Sequence, residues 1–133
     1  MYQRSEDYAK YWVEQAIAFY REVGRRIALA EFSNTNGMFV QDDVYIYVLD
    51  PNGIMLAHGI NPRFVGEDFS QVVDSAGKAF NKEILEIANS KGSGWVEYNW
   101  YSPRRRRVLP KVAYFQKTDD MIFCSAIYRE EED

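Results

Sequence analysis

The last third of the chain allows few architectures. Three strand-length runs, Gly94 to Tyr101, Val108 to Lys117 and Met121 to Tyr128, follow one another with only tight turns between them, and Asp119-Asp120 forms the last turn. Strands linked in this way build an antiparallel sheet. Upstream, the stretch VYIYVLDPNGIMLAHG, Val44 to Gly59, adds a second hairpin. Its apolar runs flank Asp50-Pro51-Asn52-Gly53. Proline at the second turn position and glycine at the fourth suit a type I turn followed by a left-handed residue. Side chains alternate along a strand, so Val44, Ile46 and Val48 form one face and Tyr45, Tyr47 and Leu49 the other.

Helical periodicity surrounds these strands. Tyr8, Trp12, Ala16, Phe19, Val23, Ile27 and Ala30 recur at spacings of three and four with no intervening proline, which predicts one long helix over residues 6–32. Glu6 and Asp7 sit in its first turn, where the helix dipole favours acids. At ~1.5 Å per residue it would run roughly 40 Å, more than a compact domain needs. Tyr11 and Tyr20 lie off its stripe, and a homodimer through this helix is expected. The turn-rich stretch FSNTNG, Phe32 to Gly37, ends it. After the hairpin, INPRFVGEDFSQVVDSAGKAF connects through short helical pieces to a second helix, FNKEILEIANSKG. Phe80, Ile84, Ile87 and Ala88 form its stripe and Gly92 its stop. The tail from Arg129 to Asp133 is acidic and expected to be disordered. The fold class is therefore α+β: a PAS-like five-stranded antiparallel sheet with a long N-terminal helix and a helical insertion after the second strand. With 133 residues, one domain over 1–133 is expected, with the helix at 6–32, sheet and insertion at 37–128, and the tail at 129–133.

Composition removes several function classes. A net charge of −4 argues against nucleic acid and against an anionic membrane surface. The single cysteine, Cys124, rules out an internal disulfide and a cysteine-built zinc site. No run of eighteen apolar residues is present, so no transmembrane helix is expected. The polar N-terminus is not a signal peptide, which fits a cytosolic protein or one whose signal has been removed. There is no P-loop, dinucleotide fingerprint or nucleophile motif. The segment DSAGKAFNKEI has a faint likeness to a calcium loop but lacks the alternating acids and the final glutamate. His58 lacks the context of a covalently attached haem. No enzyme activity, catalytic residue, metal or cofactor is expected.

What remains is aromatic and polar. Aromatic residues make up 16% of the chain, with ten tyrosines, a composition that suits pockets part apolar and part hydrogen-bonding. Val96, Tyr98 and Trp100 share one face of the third strand. Lys111 interrupts an apolar strand between Pro110 and Val112. A lysine there either snorkels to an edge or anchors a carboxylate at the bottom of an aromatic box. His58, the one histidine, is either a hydrogen-bonded core or rim residue or part of the tyrosine-lined wall formed with Tyr45 and Tyr47. Cys124 between Phe123 and Ser125 suits a small buried hydrophobe. The run Arg104 to Arg107 reads as a solvated hairpin tip, because a nucleic-acid surface would need a continuous basic face.

Taken together, GMFVQDDVYIYVLDPNGIMLAHGINPRFVGEDF, DSAGKAFNKEILEIANSKGSGWVEYNW and PKVAYFQKTDDMIFCSAIY resemble the single Cache domains of type 2, the PAS-like extracytoplasmic sensors of bacteria and archaea. The resemblance covers Gly37 to Tyr128. It implies a ligand-sensing module of signal transduction, as in chemotaxis, located outside the cytoplasm. Its ligand would be a small organic acid such as acetate, propionate, lactate or pyruvate, or in some members a neutral molecule such as urea. On that pattern Lys111 becomes the charged anchor, Tyr98 and Trp100 one wall, and Tyr45, Tyr47 and His58 the other. Two departures stand out. No transmitter, kinase or membrane segment is present, which implies a cut-out sensor or a stand-alone binding protein. Cys124 and Ala126 lie where relatives often carry glycine or another small residue. A structural or protein-interaction domain with a closed pocket is the alternative.

Overall fold

The computed structural model describes residues 6–129. The tail expected to be disordered lies outside the described residues, apart from Arg129. The chain opens with helices α1 (Glu6–Val23) and α2 (Arg25–Phe32), followed by strands β1 (Val40–Gln41), β2 (Val44–Leu49) and β3 (Met55–His58). One short 3-10 turn, Pro62–Phe64, interrupts the insertion that leads to α3 (Phe80–Lys91), and strands β4 (Ser93–Ser102), β5 (Arg107–Thr118) and β6 (Met121–Tyr128) complete the chain.

All strand pairs are antiparallel. The sheet runs β2-β6-β5-β4, with β3 and the two-residue β1 both pairing with β2. The five expected strands are present, and β1 adds a sixth. Asp50 shapes the first hairpin: its carboxylate accepts the N–H groups of Asn52 at 2.8 Å and Ile54 at 3.0 Å. Gly53 takes the left-handed conformation expected there, with φ 97°.

Both faces of the sheet are covered, which explains why β6 is buried at every position from Met121 to Ile127. Val44, Ile46, Val48, Val112, Phe123 and Ile127 pack with Trp12, Val13, Ile17 and Phe32 from the helical layer. Tyr47, Leu49, Val96, Tyr98, Phe115 and Cys124 pack on the opposite face with Phe69, Phe80, Ile84 and Leu85. Fully burying such side chains contributes roughly 1.5–3 kcal/mol each before entropy is counted. The two faces of β2 separate as the alternation predicts.

The N-terminal helix departs from expectation. It is not continuous over 6–32 but breaks at Gly24, whose φ of 89° and ψ of 168° fall outside helical space. Gly24 closes the first helix by donating to the Tyr20 carbonyl and begins the second by accepting from the Ala28 N–H. The break rotates the buried stripe. Ala28 and Phe32 enter the core, whereas Ile27 is 47% exposed and Ala30 is also exposed. Tyr20, ahead of the break, is half-buried: its hydroxyl donates to the Asp119 carboxylate at the surface and its ring packs 5.6 Å from that of Phe123. Tyr11 alone of the two off-stripe tyrosines stays 55% exposed.

The conformation of Gly24 is one that side chains strongly disfavour, and a Cβ there would meet no neighbour within 4 Å. Gly24→Ala should therefore destabilise through backbone strain alone, by about 1–3 kcal/mol. Thermal unfolding monitored by circular dichroism checks this; an unchanged or raised melting temperature would mean that the helix runs straight through.

Candidate functional site

The aromatic face of the sheet and the insertion enclose two adjoining cavities. The insertion is held down at both ends. Gly59 brings the chain so close to β2 that a Cβ would lie 2.9 Å from that of Tyr45. Asp74 then ties the far end to β4: one carboxylate oxygen accepts from the N–H groups of Ala76 and Lys78, the other from Asn99 at 2.9 Å. Burial works to raise the Asp74 pKa, yet these backbone donors hold it below the ordinary value. Asp74 thus serves the segment that resembles a calcium loop by satisfying backbone groups. Among the described residues no cluster of three or more His, Cys, Asp or Glu side chains is placed to hold a metal ion.

The outer cavity is a cleft of about 500 Å³. Tyr45, His58, Phe64, Trp100 and Tyr128 line its depth, while Asp42, Asp43 and Arg104 stand among its remaining walls. The inner cavity is a void of about 20 Å³. It shares Tyr45, His58, Phe64 and Trp100 with the cleft and adds Tyr47, Asn81, Tyr98 and Phe80, among others. Phe80, at the start of α3, stacks face to face on Tyr98 with ring centres 4.0 Å apart.

Lys111 lies beside these cavities. On β5 it pairs with Tyr98 of β4 on one side and Tyr128 of β6 on the other. Its side chain is buried at 1% exposure and does not snorkel to an edge. The Nζ sits 4.6 Å from the centre of the Tyr128 ring and 5.0 Å from that of Tyr45, within cation–π range of both. Among the described residues no hydrogen bond or ion pair to the ammonium is found. Burial lowers its pKa from 10.5 to about 8, partly opposed by the charge of Asp43.

His58 is 7% exposed. Its Nδ1 accepts the N–H groups of Asn61 at 2.9 Å and Ile60 at 3.3 Å, so its one proton resides on Nε2. Burial, and then the charge of Lys111, lower its pKa to about 4. At neutral pH the ring is therefore an uncharged N–H donor that also shapes the start of the insertion. The Tyr47 hydroxyl leans toward Tyr98 and Cys124 but makes no hydrogen bond of ordinary geometry with any described group. Cys124 is fully buried, and burial pushes its thiol pKa up, as a small core hydrophobe should behave.

Tyr45, Tyr47, His58, Tyr98, Trp100 and Lys111 thus share one face of the sheet. The first five border the inner void, and Lys111 stands under the Tyr45 and Tyr128 rings. Sequence reasoning missed Tyr128, Phe64, Asn81 and Asp74. Tyr128 was findable, since it follows Cys124 and Ala126 at even spacing on the aromatic face. Phe64, Asn81 and Asp74 come from the insertion and α3, whose placement no periodicity encodes. Arg104 to Arg107 form an exposed hairpin tip as expected, closed by a bond from the Arg106 N–H to the Ser102 carbonyl. Among the described residues no helix is long and apolar enough to cross a membrane.

The model of the family described as single Cache domain 2 matches residues 21–121. A curated relative, the methyl-accepting chemotaxis protein McpP of Pseudomonas putida strain KT2440, is 30% identical over 88 residues, covering 65% of this chain but only 16% of that protein. A solved structure described as the structural basis for carboxylic acid recognition by a Cache chemosensory domain superimposes with a TM-score of 0.77 and 27% identity, covering 96% of this chain and 100% of that one. A periplasmic sensor domain of a chemotaxis protein gives a TM-score of 0.71 at 25% identity, over 93% of this chain and 90% of that one. A methyl-accepting chemotaxis protein of Vibrio parahaemolyticus shares the fold, with a TM-score of 0.78 at 20% identity over 92% and 87% of the two chains.

The buried ammonium carries a pH signature. With a folded pKa of about 8 against 10.5, the unfolded chain binds the extra proton between those values, so stability rises as pH rises through that window. The tyrosines oppose this above their ordinary value of 10.0, because burial raises them in the folded state. Chemical denaturation should therefore show stability increasing from pH 8 to about 10 in the ligand-free protein. Lys111→Met should flatten the rise without loss of stability at pH 7, because methionine has a similar volume and no charge to bury.

Proposed function

The chain belongs to the single Cache domain 2 family, and from that premise we propose that it is the ligand-binding sensor module of a chemotaxis receptor, acting outside the cytoplasm and recognising an organic acid of two to four carbons without transforming it. The observation that carries this proposal is the Lys111 ammonium, buried between two tyrosine rings beside a cleft. A buried cation without a hydrogen-bonded counter-ion is costly. A carboxylate delivered to it gains charge-assisted hydrogen bonds where water competes poorly. Neutral His58 and the tyrosine hydroxyls supply donors for the remaining carboxylate lone pairs, and Trp100 and Phe64 suit a short apolar tail. The cleft also carries Arg104 alongside Asp42 and Asp43, so its exposed charges do not select one sign; the buried lysine, less screened, does. The chain spans about a sixth of the length of the curated chemoreceptor it resembles, and the output it would drive belongs to that larger context.

A second copy of the chain is the proposed partner. On the exposed flank of α1 a groove of about 470 Å³ is lined by Tyr11, Trp12, Phe19, Met38 and Phe39, among others. Met38 is 66% exposed. Sedimentation of the parent protein and of Tyr11→Glu should show association that the substitution weakens; a strict monomer at high concentration removes the dimer.

The ligand is tested by thermal shift and calorimetry with acetate, propionate, lactate, pyruvate and urea. An acid at about 100 times its dissociation constant should stabilise by ~2.7 kcal/mol. The shift should disappear in Lys111→Met and weaken as pH rises through about 8. A response to urea alone would favour a neutral ligand. A response to none of the five would favour a structural or interaction domain with a closed pocket.

A further inference from the structure

Both described ends of the chain leave the fold on one side. Beyond β6 the Arg129 N–H donates to the Pro110 carbonyl at 3.0 Å. The Arg129 guanidinium bridges Glu6, the first residue of α1, at 3.1 Å and also Glu97 of β4. The opposite end of the sheet is the β5–β6 turn, where Tyr20 and Arg25 reach Asp119 and Asp120. Helix α1 therefore runs from the Arg129 end toward that turn, and β6 runs back from it.

The β4–β5 hairpin continues past the Arg129 end. From Pro110 its ladder goes on to the Ser102–Arg107 pair, three residues or roughly 10 Å at the rise of a strand. The turn projects further and carries Arg104, Arg105, Arg106 and Arg107, all exposed. Just behind them Tyr101 and Val108 pair across the strands and are 51% and 47% exposed. A tyrosine and a valine behind a row of guanidinium groups make a surface that is apolar in one part and cationic at its edge. That combination suits a bilayer interface, where tyrosine sits among the headgroups and arginine forks onto phosphate oxygens.

The chain as a whole carries −4, but exposed charges more than about 8 Å apart are largely screened at physiological salt. Near the tip Asp42 and Asp43 stand with Arg104 in the cleft wall, two aspartates against four arginines. Glu6 and Glu97 lie further back, on Arg129. The basic surface is a tip and not a continuous face, which disfavours nucleic acid.

We propose that the Arg104–Arg107 hairpin tip is a membrane-contact element that meets the anionic phosphate headgroups of the bilayer toward which both ends of the chain lead. The contact rests on the receptor reading for its tether and not on the identity of the ligand. A module tethered at a membrane by its own chain meets headgroups at high effective concentration, so a contact weak in solution is well populated there.

Vesicle sedimentation tests this with the ligand-free chain and vesicles of phosphatidylcholine, alone or mixed equally with phosphatidylglycerol. At low salt the parent should partition at least about tenfold more strongly into the anionic vesicles, and high salt should erase the difference. An arginine near an anionic surface is worth about fivefold in partitioning, so Arg104→Gln with Arg106→Gln should weaken binding by about tenfold or more. Arg104→Lys with Arg106→Lys should retain it to within about threefold. Arg26→Gln with Lys91→Gln removes the same charge from exposed positions at the opposite end and should leave binding unchanged. Equal partitioning into both vesicle types, or equal loss in the tip and remote variants, overturns the contact. So does retention on heparin without vesicle binding, which would assign the arginines to another polyanion. No acid is present in this assay, so each of these outcomes leaves the organic-acid reading standing.

Discussion

Coverage of the sheet on both faces is the constraint from which the rest of the molecule follows. Strands β5 and β6 are interior strands, and β6 presents apolar side chains upward and downward alike. One face is closed by α1 and α2, which can pack tightly because helices carry regular apolar stripes. The other is closed by α3 and an insertion that is mostly turns. A turn-rich segment cannot fill a flat aromatic surface as densely as a helix, and the cavities lie on that side. The close approach at Gly59 and the backbone bonds to Asp74 hold the insertion over the sheet.

Among the described residues, Lys111 is the one lysine or arginine buried in that layer. Lys111 stands where its strand neighbours are buried, and its charge is felt by the groups around it. His58 is neutral partly because of it, and Tyr45 and Tyr128 present their electron-rich faces to it. The surroundings thus soften the cost of burying the ammonium without neutralising it by a hydrogen-bonded carboxylate. That residual imbalance is what the proposed organic acid would relieve.

Most of the fold was legible in the sequence because it rests on local rules. The turn residues around Gly53 and at Asp119-Asp120, the alternation in β2 and the stripe of α3 with its stop at Gly92 each act over a few neighbours. The N-terminal helix was misjudged for a related reason. Its apolar spacing continues across Gly24, and a spacing pattern carries no record of a backbone that turns out of helical space there. The consequence reached Ile27 and Ala30, which fit the stripe and yet face solvent.

The sequence by itself determined which side chains share a face of a strand, since alternation along an extended backbone is fixed by covalent geometry. That was enough to group Tyr45 with Tyr47 and Tyr98 with Trp100, and to mark Lys111 as out of place. Only the tertiary structure decided what those faces meet. Strand order brought Tyr128 against Lys111, and the path of the insertion put Phe64 against His58 and set Asn81 and Tyr47 around one small cavity. Such contacts join residues far apart in the chain through packing and loop closure, which depend on the whole fold at once and leave no periodic trace in the sequence.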